Sequence, residues 1–282
     1  MKPINHLVIT GHDLAALRAL YGGLGFTLCP QAQHPFGTGN TVIQLHGAYL
    51  ELLSVTVPED VVEHRQGAFS FSAFNRDYLA RHEGFSMLVL GTQDARADID
   101  AWSLAGLTTY APFDFSREAS LPDGDKVTVG FTLAFTSTPE APWLGHFACQ
   151  HFLPDYYEQP QYLKHANGAY AVEDVWIVSD RAAQIAHHVA VFVGGRGVPE
   201  GGTIAFATPS GRIVLSDAES FAAAFGVPPP HPGDGPHLAG LTIACRGGLG
   251  MMAGKGLERV GSRLVLPPAR AFGTALAFHA IG

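Results

Sequence analysis

Two residues near the start of the chain could share a metal ion or a proton. His6 lies in a β-rich run, Ile4-Asn5-His6-Leu7-Val8-Ile9-Thr10, and Glu51 in another, Tyr49-Leu50-Glu51-Leu52-Leu53. Side chains alternate along a strand, so His6 shares a face with Val8 and Thr10, and Glu51 with Tyr49 and Leu53. A carboxylate turned into an apolar face is expensive unless it is paired or bound to metal. On separate strands of one cavity, imidazole and carboxylate suit a divalent ion such as Zn, Ni, Mn or Fe. Such an ion would act as a Lewis acid on adjacent oxygens of a small substrate, with Glu51 as the catalytic carboxylate.

Other polar residues gather around that pair in sequence patterns that allow either structure or contact. His34 and Asn40 flank a glycine-rich turn, His34-Pro35-Phe36-Gly37-Thr38-Gly39-Asn40, which reads as turn chemistry or as a corner touching substrate. His146, Gln150 and His151 fall on one strand-like run, with Gln150 and His151 on opposite faces. Asn167-Gly168 most simply makes a turn. His187 and His188, adjacent on a helical stretch, diverge and read as surface or packing residues.

The elements that must position these residues recur. A strand at 4–10 leads to Asp13 as a helix cap. Leu14, Leu17, Leu20, Tyr21 and Leu24 then follow at three- and four-residue steps until Gly25. Strands are expected at 26–29, 40–46 and 48–55, which completes a βαβββ unit. The pattern returns with a strand at 85–91, Asp94 as cap, a helix through Ile99 and Trp102, and strands at 126–135 and 145–152. A fainter copy has a strand at 174–178, Asp180 as cap, a helix through Ile185 and His188, and strands at 202–207 and 211–215. The faintest has a strand at 238–245, a short helix near 249–257, and strands at 259–266 and 271–279. A period of roughly 65–90 residues makes four βαβββ modules, an α+β fold of two half-open barrels. Residues 58–83 hold one or two short helices, including 75–81. Residues 1–155 are expected to form one domain (modules 1 and 2), 156–170 a linker, and 171–282 a second, degenerate domain.

The first half resembles the glyoxalase-like domain of the vicinal-oxygen-chelate superfamily. The resemblance rests on His6-Leu7-Val8-Ile9, Gly22-Gly23-Leu24-Gly25-Phe26, the His34–Asn40 turn, Tyr49-Leu50-Glu51-Leu52-Leu53, Leu121-Pro122-Asp123-Gly124 and His165-Ala166-Asn167-Gly168-Ala169. It covers about the first 170 residues well and the rest weakly. Enzymes of that superfamily place metal ligands on the first and last strands of paired modules. The resemblance therefore implies His6 and Glu51 as ligands in the first module. In the second it implies Gln150 on the last strand, while the first strand offers only Ser86 or Met87, so the set of four is incomplete. It also implies substrate contacts at His34, Asn40, Tyr49, His151 and Asn167, the last by folding back toward the site.

Composition narrows the classes further. Hydrophobic residues make up 47% of the 282 and charged residues 15%, with a net charge of −8. That supports buried cores and argues against a nucleic-acid partner, which needs concentrated Lys and Arg. No membrane span or targeting segment is expected. Three widely spaced cysteines, Cys29, Cys149 and Cys245, read as buried thiols of a cytoplasmic protein. No nucleotide loop, nucleophile elbow or zinc-spaced Cys pair occurs.

Three functions compete. The first is lyase- or isomerase-type chemistry at a metal in the N-terminal cavity. The second is a metal-free module that binds or sequesters a small molecule, lined by residues such as Tyr49, Trp143, Phe147 and Tyr156. The third is a ring-cleaving dioxygenase, against which the isolated Glu173 and His279 count. A homodimer sharing sheet edges is a further expectation.

Overall fold

A computed structural model describes residues 1–120, 126–153, 158–252 and 254–282. The expected turn at Leu121–Gly124, the boundary at 155 and 156, and Tyr156 lie outside those residues. The first module runs β1 (Ile4–Thr10), α1 (Leu14–Gly23), β2 (Ala32–Gln33), β3 (Thr38–Leu45) and β4 (Ala48–Val55), followed by α2 (Phe71–Leu79). The second runs β5 (Gly84–Thr92), α3 (Ala95–Leu104), β6 (Thr108–Thr109), β7 (Phe113–Ser120), β8 (Lys126–Ser137) and β9 (Gly145–His151). The third comprises β10 (Ala169–Val178), α4 (Ala182–Val193), β11 (Val198–Glu200), β12 (Thr203–Thr208) and β13 (Gly211–Ser216), followed by α5 (Ala218–Phe225). The fourth comprises β14 (His237–Cys245), β15 (Glu258–Val260), β16 (Arg263–Leu266) and β17 (Ala275–Ala280).

Pairing repeats with the modules. The first strand of each runs parallel to the last: β1 with β4, β5 with β9, β10 with β13 and β14 with β17. Parallel neighbours need a crossover, and α1, α3 and α4 supply it in three modules. In the fourth, the helix expected near 249–257 is reduced to a short turn of 3₁₀ helix at Gly250–Met252. Modules join in pairs through antiparallel first strands, β1 to β5 and β10 to β14. The result is two mixed sheets, β1–β9 and β10–β17, in the α+β class of paired half-barrels that the sequence implies.

Caps fix where the helices begin. The Asp13 carboxylate accepts from the N–H groups of Ala15 and Ala16 at 2.8 and 3.1 Å. Asp94 does the same for Arg96 and Ala97 at 3.1 and 3.0 Å, and such caps contribute about 1 kcal/mol each. Asp180 does not act as expected, because α4 starts one residue later, from Arg181, with no side-chain cap. The strand expected at 26–29 is irregular. β7 and α5, with the short strands β2, β6 and β11, lie outside the sequence expectations.

Alternation sorts each strand between two environments. Leu7 and Ile9 of β1, with Leu50 and Leu52 of β4, enter one continuous core with α1, α3, α4 and strands of the second sheet. Val8, Leu53, Met87, Val89, Phe147 and Cys149 face the other way, into the cup of the first sheet, which α2 covers with Phe71, Phe74 and Tyr78. The cup of the second sheet is filled by Phe221 and Phe225 of α5, packed on Trp176. Cys149 and Cys245 are buried and Cys29 half-buried, all as free thiols. Among the described residues no helix is long and apolar enough to cross a membrane.

Candidate functional site

The same alternation that buries Val8 and Leu53 turns His6, Tyr49 and Glu51 into the first cup. There they meet Asn40 from β3, His34 from the preceding turn, and Phe147 and Cys149 from β9 around a cavity. The space open to the centre of a water molecule is about 40 Å³, room for about three waters. A wider chamber of about 520 Å³, lined in part by Asn5, Gln44 and His151, lies alongside. Tyr49 and Cys149 line both and form the partition.

Glu51 is the centre of the polar network. Its Oε2 lies 3.6 Å from His6 Nε2 and its Oε1 3.8 Å from His34 Nε2. The Asn40 side-chain amide donates to Glu51 Oε1 and stands 3.4 Å from His34 Nε2. His6 Nδ1 is 2.7 Å from Asn5 Oδ1, and His151 Nε2 is 3.2 Å from the same oxygen. An amide oxygen only accepts, so both facing imidazole nitrogens carry hydrogen, assigned here from their acceptor. That leaves the lone pair of His6 on Nε2, turned toward Glu51. The His6 ring is held by stacking on Tyr49, with centroids 4.5 Å apart and planes 11° apart. His34 Nδ1 meets Thr38 Oγ1 at 2.9 Å, and its ring stacks on Phe36.

Burial sets the protonation states. Glu51 is 5% exposed; burial pushes its pKa up to about 7, against the pull of the Asn40 hydrogen bond and the Arg117 charge. Burial, reinforced by His151 and His34, holds His6 well below its ordinary value. His34 falls to about 3 and His151 to about 4, each by burial first and then the Arg117 charge. Near neutral pH the imidazoles are therefore uncharged and Glu51 is poised between acid and base. With the imidazole uncharged and the atoms 3.6 Å apart, the Glu51–His6 contact is a close approach and not an ion pair.

The donors fall short of the expected metal set, and strand register says why. His6 pairs with Tyr49, and Val8 with both Glu51 and Met87. In the second module Met87 pairs with Gly145, and Val89 with both Phe147 and His6. The internal symmetry thus matches His6 to Met87 and Glu51 to Phe147, so two of the four ligand positions carry apolar side chains. Gln150 is a correction. It has the opposite parity to Phe147, and its Oε1 accepts from Ala95 N–H at 3.1 Å, capping α3 outside the cup. Among the described residues no three His, Cys, Asp or Glu side chains converge to hold an ion. Asn40 meanwhile satisfies Glu51 Oε1 and reaches His34, which a metal would otherwise do.

Of the expected substrate contacts, His34, Asn40 and Tyr49 line the cavity, and His151 lines the adjoining chamber. Asn167 does not join them. Its N–H donates to the Gly25 carbonyl at 3.3 Å and its Oδ1 accepts from Ala169 N–H at 3.0 Å. Gly25, at φ +98°, lets the two segments close; a Cβ there would stand 3.1 Å from Asn167. Glu173 and His279 are not isolated either, since His279 Nδ1 lies 3.0 Å from the Glu173 carboxylate. His188 is buried against the His146 ring, with the two Nε2 atoms in hydrogen-bond contact.

Three residues of the site were missed. Asn5 orients His6 and His151, Phe115 walls the cavity, and Arg117 brings a cation to it. The signal for Arg117 was present: Phe113, Phe115 and Arg117 alternate with Asp114, Ser116 and Glu118, which places a charge on a phenylalanine face.

A family model described as "Glyoxalase-like domain" matches residues 4–192. No curated protein matches the sequence. Among solved structures, a hypothetical protein from Staphylococcus aureus aligns over 100% of both chains with a TM-score of 0.71 and 15% identity. A mutant of 4-hydroxymandelate synthase from Streptomyces coelicolor aligns over 100% of this chain and 95% of that one, with a TM-score of 0.54 and 15% identity. At those identities the two structures speak for the fold alone.

Proposed function

The chain belongs to the glyoxalase-like domain family, and from that footing we propose that its N-terminal cup moves a proton on a small oxygen-bearing substrate, in isomerase- or lyase-type chemistry run by Glu51 and His6. The observation that carries this reading is a buried carboxyl near pKa 7, 3.6 Å from the lone-pair nitrogen of a fixed imidazole. A general base works best when its pKa lies near the operating pH. Ionised Glu51 takes a proton from a carbon next to a carbonyl, and the C–H electron pair passes to the carbonyl oxygen as an enolate. The same carboxyl returns the proton, to the same carbon or to its neighbour. His6 Nε2 accepts a hydrogen bond from protonated Glu51, and Asn40 fixes the carboxyl plane. The incomplete donor set argues that the step is carried by these side chains. Ring cleavage would need a third ligand beside the Glu173–His279 pair, and among the described residues no three such side chains converge.

Deuterium incorporation from D₂O into a panel of small 2-oxo and 2-hydroxy acids, followed by proton NMR, tests the reading. We expect exchange with the wild type and a loss of about 10²–10⁴-fold in Glu51→Gln, the usual weight of a general base. Exchange at the wild-type rate in that variant would remove Glu51 from the chemistry. The aromatic lining favours a second reading, a binding module, and saturable binding without exchange would establish it. Stoichiometric metal in protein purified without chelator, lost in His6→Ala and Glu51→Ala, would restore an ion to the mechanism.

A further inference from the structure

We propose, building on that reading of the cavity, that Arg117 anchors the carboxylate of a small monoanionic substrate whose body is aromatic or otherwise apolar. Three observations converge on it. The first is placement: Arg117 follows Phe113 and Phe115 on the inward face of β7 and lines the cavity with Glu51 and His6. The second is the lack of a counter-charge. Among the described residues no carboxylate lies within ion-pair distance of Arg117. Its one hydrogen bond among the described residues is a long contact, 3.4 Å, to the carbonyl of Glu118. Glu51 does not serve, because it is engaged by Asn40 and makes no ion pair with this side chain. A half-buried guanidinium facing phenyl rings is costly to leave unmatched, and its planar fork fits a carboxylate through two parallel hydrogen bonds.

The third observation is the wall around it. Phe115 and Phe131 stack at 4.9 Å, and Phe36 meets Phe115 edge-on at 5.3 Å. Such rings recognise an apolar body through area and edge-to-face contact and supply no hydrogen bonds to a second charged group. Against these rings a second charged group would find no partner. The cavity is small, about 40 Å³ of space open to the centre of a water molecule, so a ligand larger than a few waters must shift its walls.

Benzoate and its neutral isostere benzamide separate charge from shape. Binding of each to the full chain is measured by isothermal calorimetry in the wild type, Arg117→Gln, Arg117→Lys and Glu51→Gln. We expect benzoate to bind at least about tenfold more tightly than benzamide, which is about 1.4 kcal/mol. Arg117→Gln should erase that preference and leave benzamide unchanged; Arg117→Lys should keep part of it. Melting temperature serves as a folding control, and Arg117→Lys keeps the aliphatic stem as a second one. Equal affinities in the wild type, a preference that survives Arg117→Gln, or no saturable benzoate binding at millimolar concentration each overturn the proposal. Glu51→Gln removes a carboxylate from the same cavity, so the benzoate preference should persist or sharpen. The anion site and the proton chemistry therefore fail separately: exchange without the preference removes only the anchor, and the preference without Glu51-dependent exchange removes only the chemistry.

Discussion

A carboxyl that titrates near neutrality makes stability depend on pH in the opposite sense to an ordinary surface acid. Unfolded, Glu51 ionises near its usual value; folded, burial holds it protonated until about pH 7. Between those two values folding takes up a proton, so the contribution of Glu51 is full at low pH and is lost as pH rises to about 7. The buried imidazoles of His6 and His34 run the other way, and comparison with Glu51→Gln cancels them. We expect the stability of Glu51→Gln relative to wild type to grow from about pH 4.5 to about pH 7, by about 3 kcal/mol at most, in urea melts across that range. A difference flat with pH would mean that the carboxyl is hydrated in the folded state. The His6–Glu51 meeting was legible because the family resemblance puts both on strands of one cavity; alternation gave only the neighbours that share each residue's face, not which face is inward. The signal for Arg117 was fainter, because a charge alternating with phenylalanines points to a site only once its stretch is known to be a strand. Gln150 misled because counting from a strand's end loses parity, whereas hydrogen-bond register keeps it.

Elements, not single residues, decide why one cup has a cavity and the other does not. Over the first sheet, α2 lies across the cup with three aromatic side chains and leaves space beneath. Over the second, α5 drives Phe221 and Phe225 into the corresponding hollow, stacked 4.4 Å apart and both fully buried. The α5 stretch carried its own signals: Asp217 accepting from Ser220 N–H at 2.7 Å, an alanine-rich body, and Gly226 closing it at φ +70°. They went unread because the stretch lies between the strands expected at 211–215 and 238–245, where the βαβββ pattern calls for no helix. The modules themselves were legible because repetition supports each weak strand by analogy with its copies. Phe221→Ala should cost about 3–5 kcal/mol, as large buried aromatics do, read as a fall in the urea midpoint. Its phenyl belongs to a cluster separate from the first cup, so benzoate affinity should stay at the wild-type value. A coupled loss would show the two cups to be mechanically linked.

The whole molecule is held together by one apolar core running from α1 and α3 to α4 and the second sheet, crossed by two clusters of histidines. At one, His146 of β9 meets His188 of α4. At the other, His82 stacks on His231, centroids 3.4 Å apart, and bonds to Asp234, which Arg81 also holds at 2.5 Å. A core shared in this way should make the two halves unfold together, as one calorimetric transition whose van't Hoff and measured enthalpies agree. The His146–His188 contact then sets how that unit responds to acid. Burial lowers His146 to about 3 and His188 to about 4, with the neighbouring imidazole adding to the first. Folding therefore keeps two imidazoles neutral that the unfolded chain protonates near pH 6.5. Their contribution is complete above that value and drains away as pH falls toward about 4, at up to about 1.4 kcal/mol per pH unit for each. The paired replacement His146→Leu with His188→Leu removes donor and acceptor of that contact together and takes one partner from the Leu144 carbonyl, which His146 Nδ1 meets at 2.7 Å, so its cost at pH 7 should be about 1–3 kcal/mol. Its stability should decline less steeply between about pH 6.5 and 4 than that of the wild type, by the slope of one to two protons. If urea melts gave the two proteins the same acid slope, the imidazoles would have to be protonated already in the folded state, and the joint between the halves would rest on its apolar core alone.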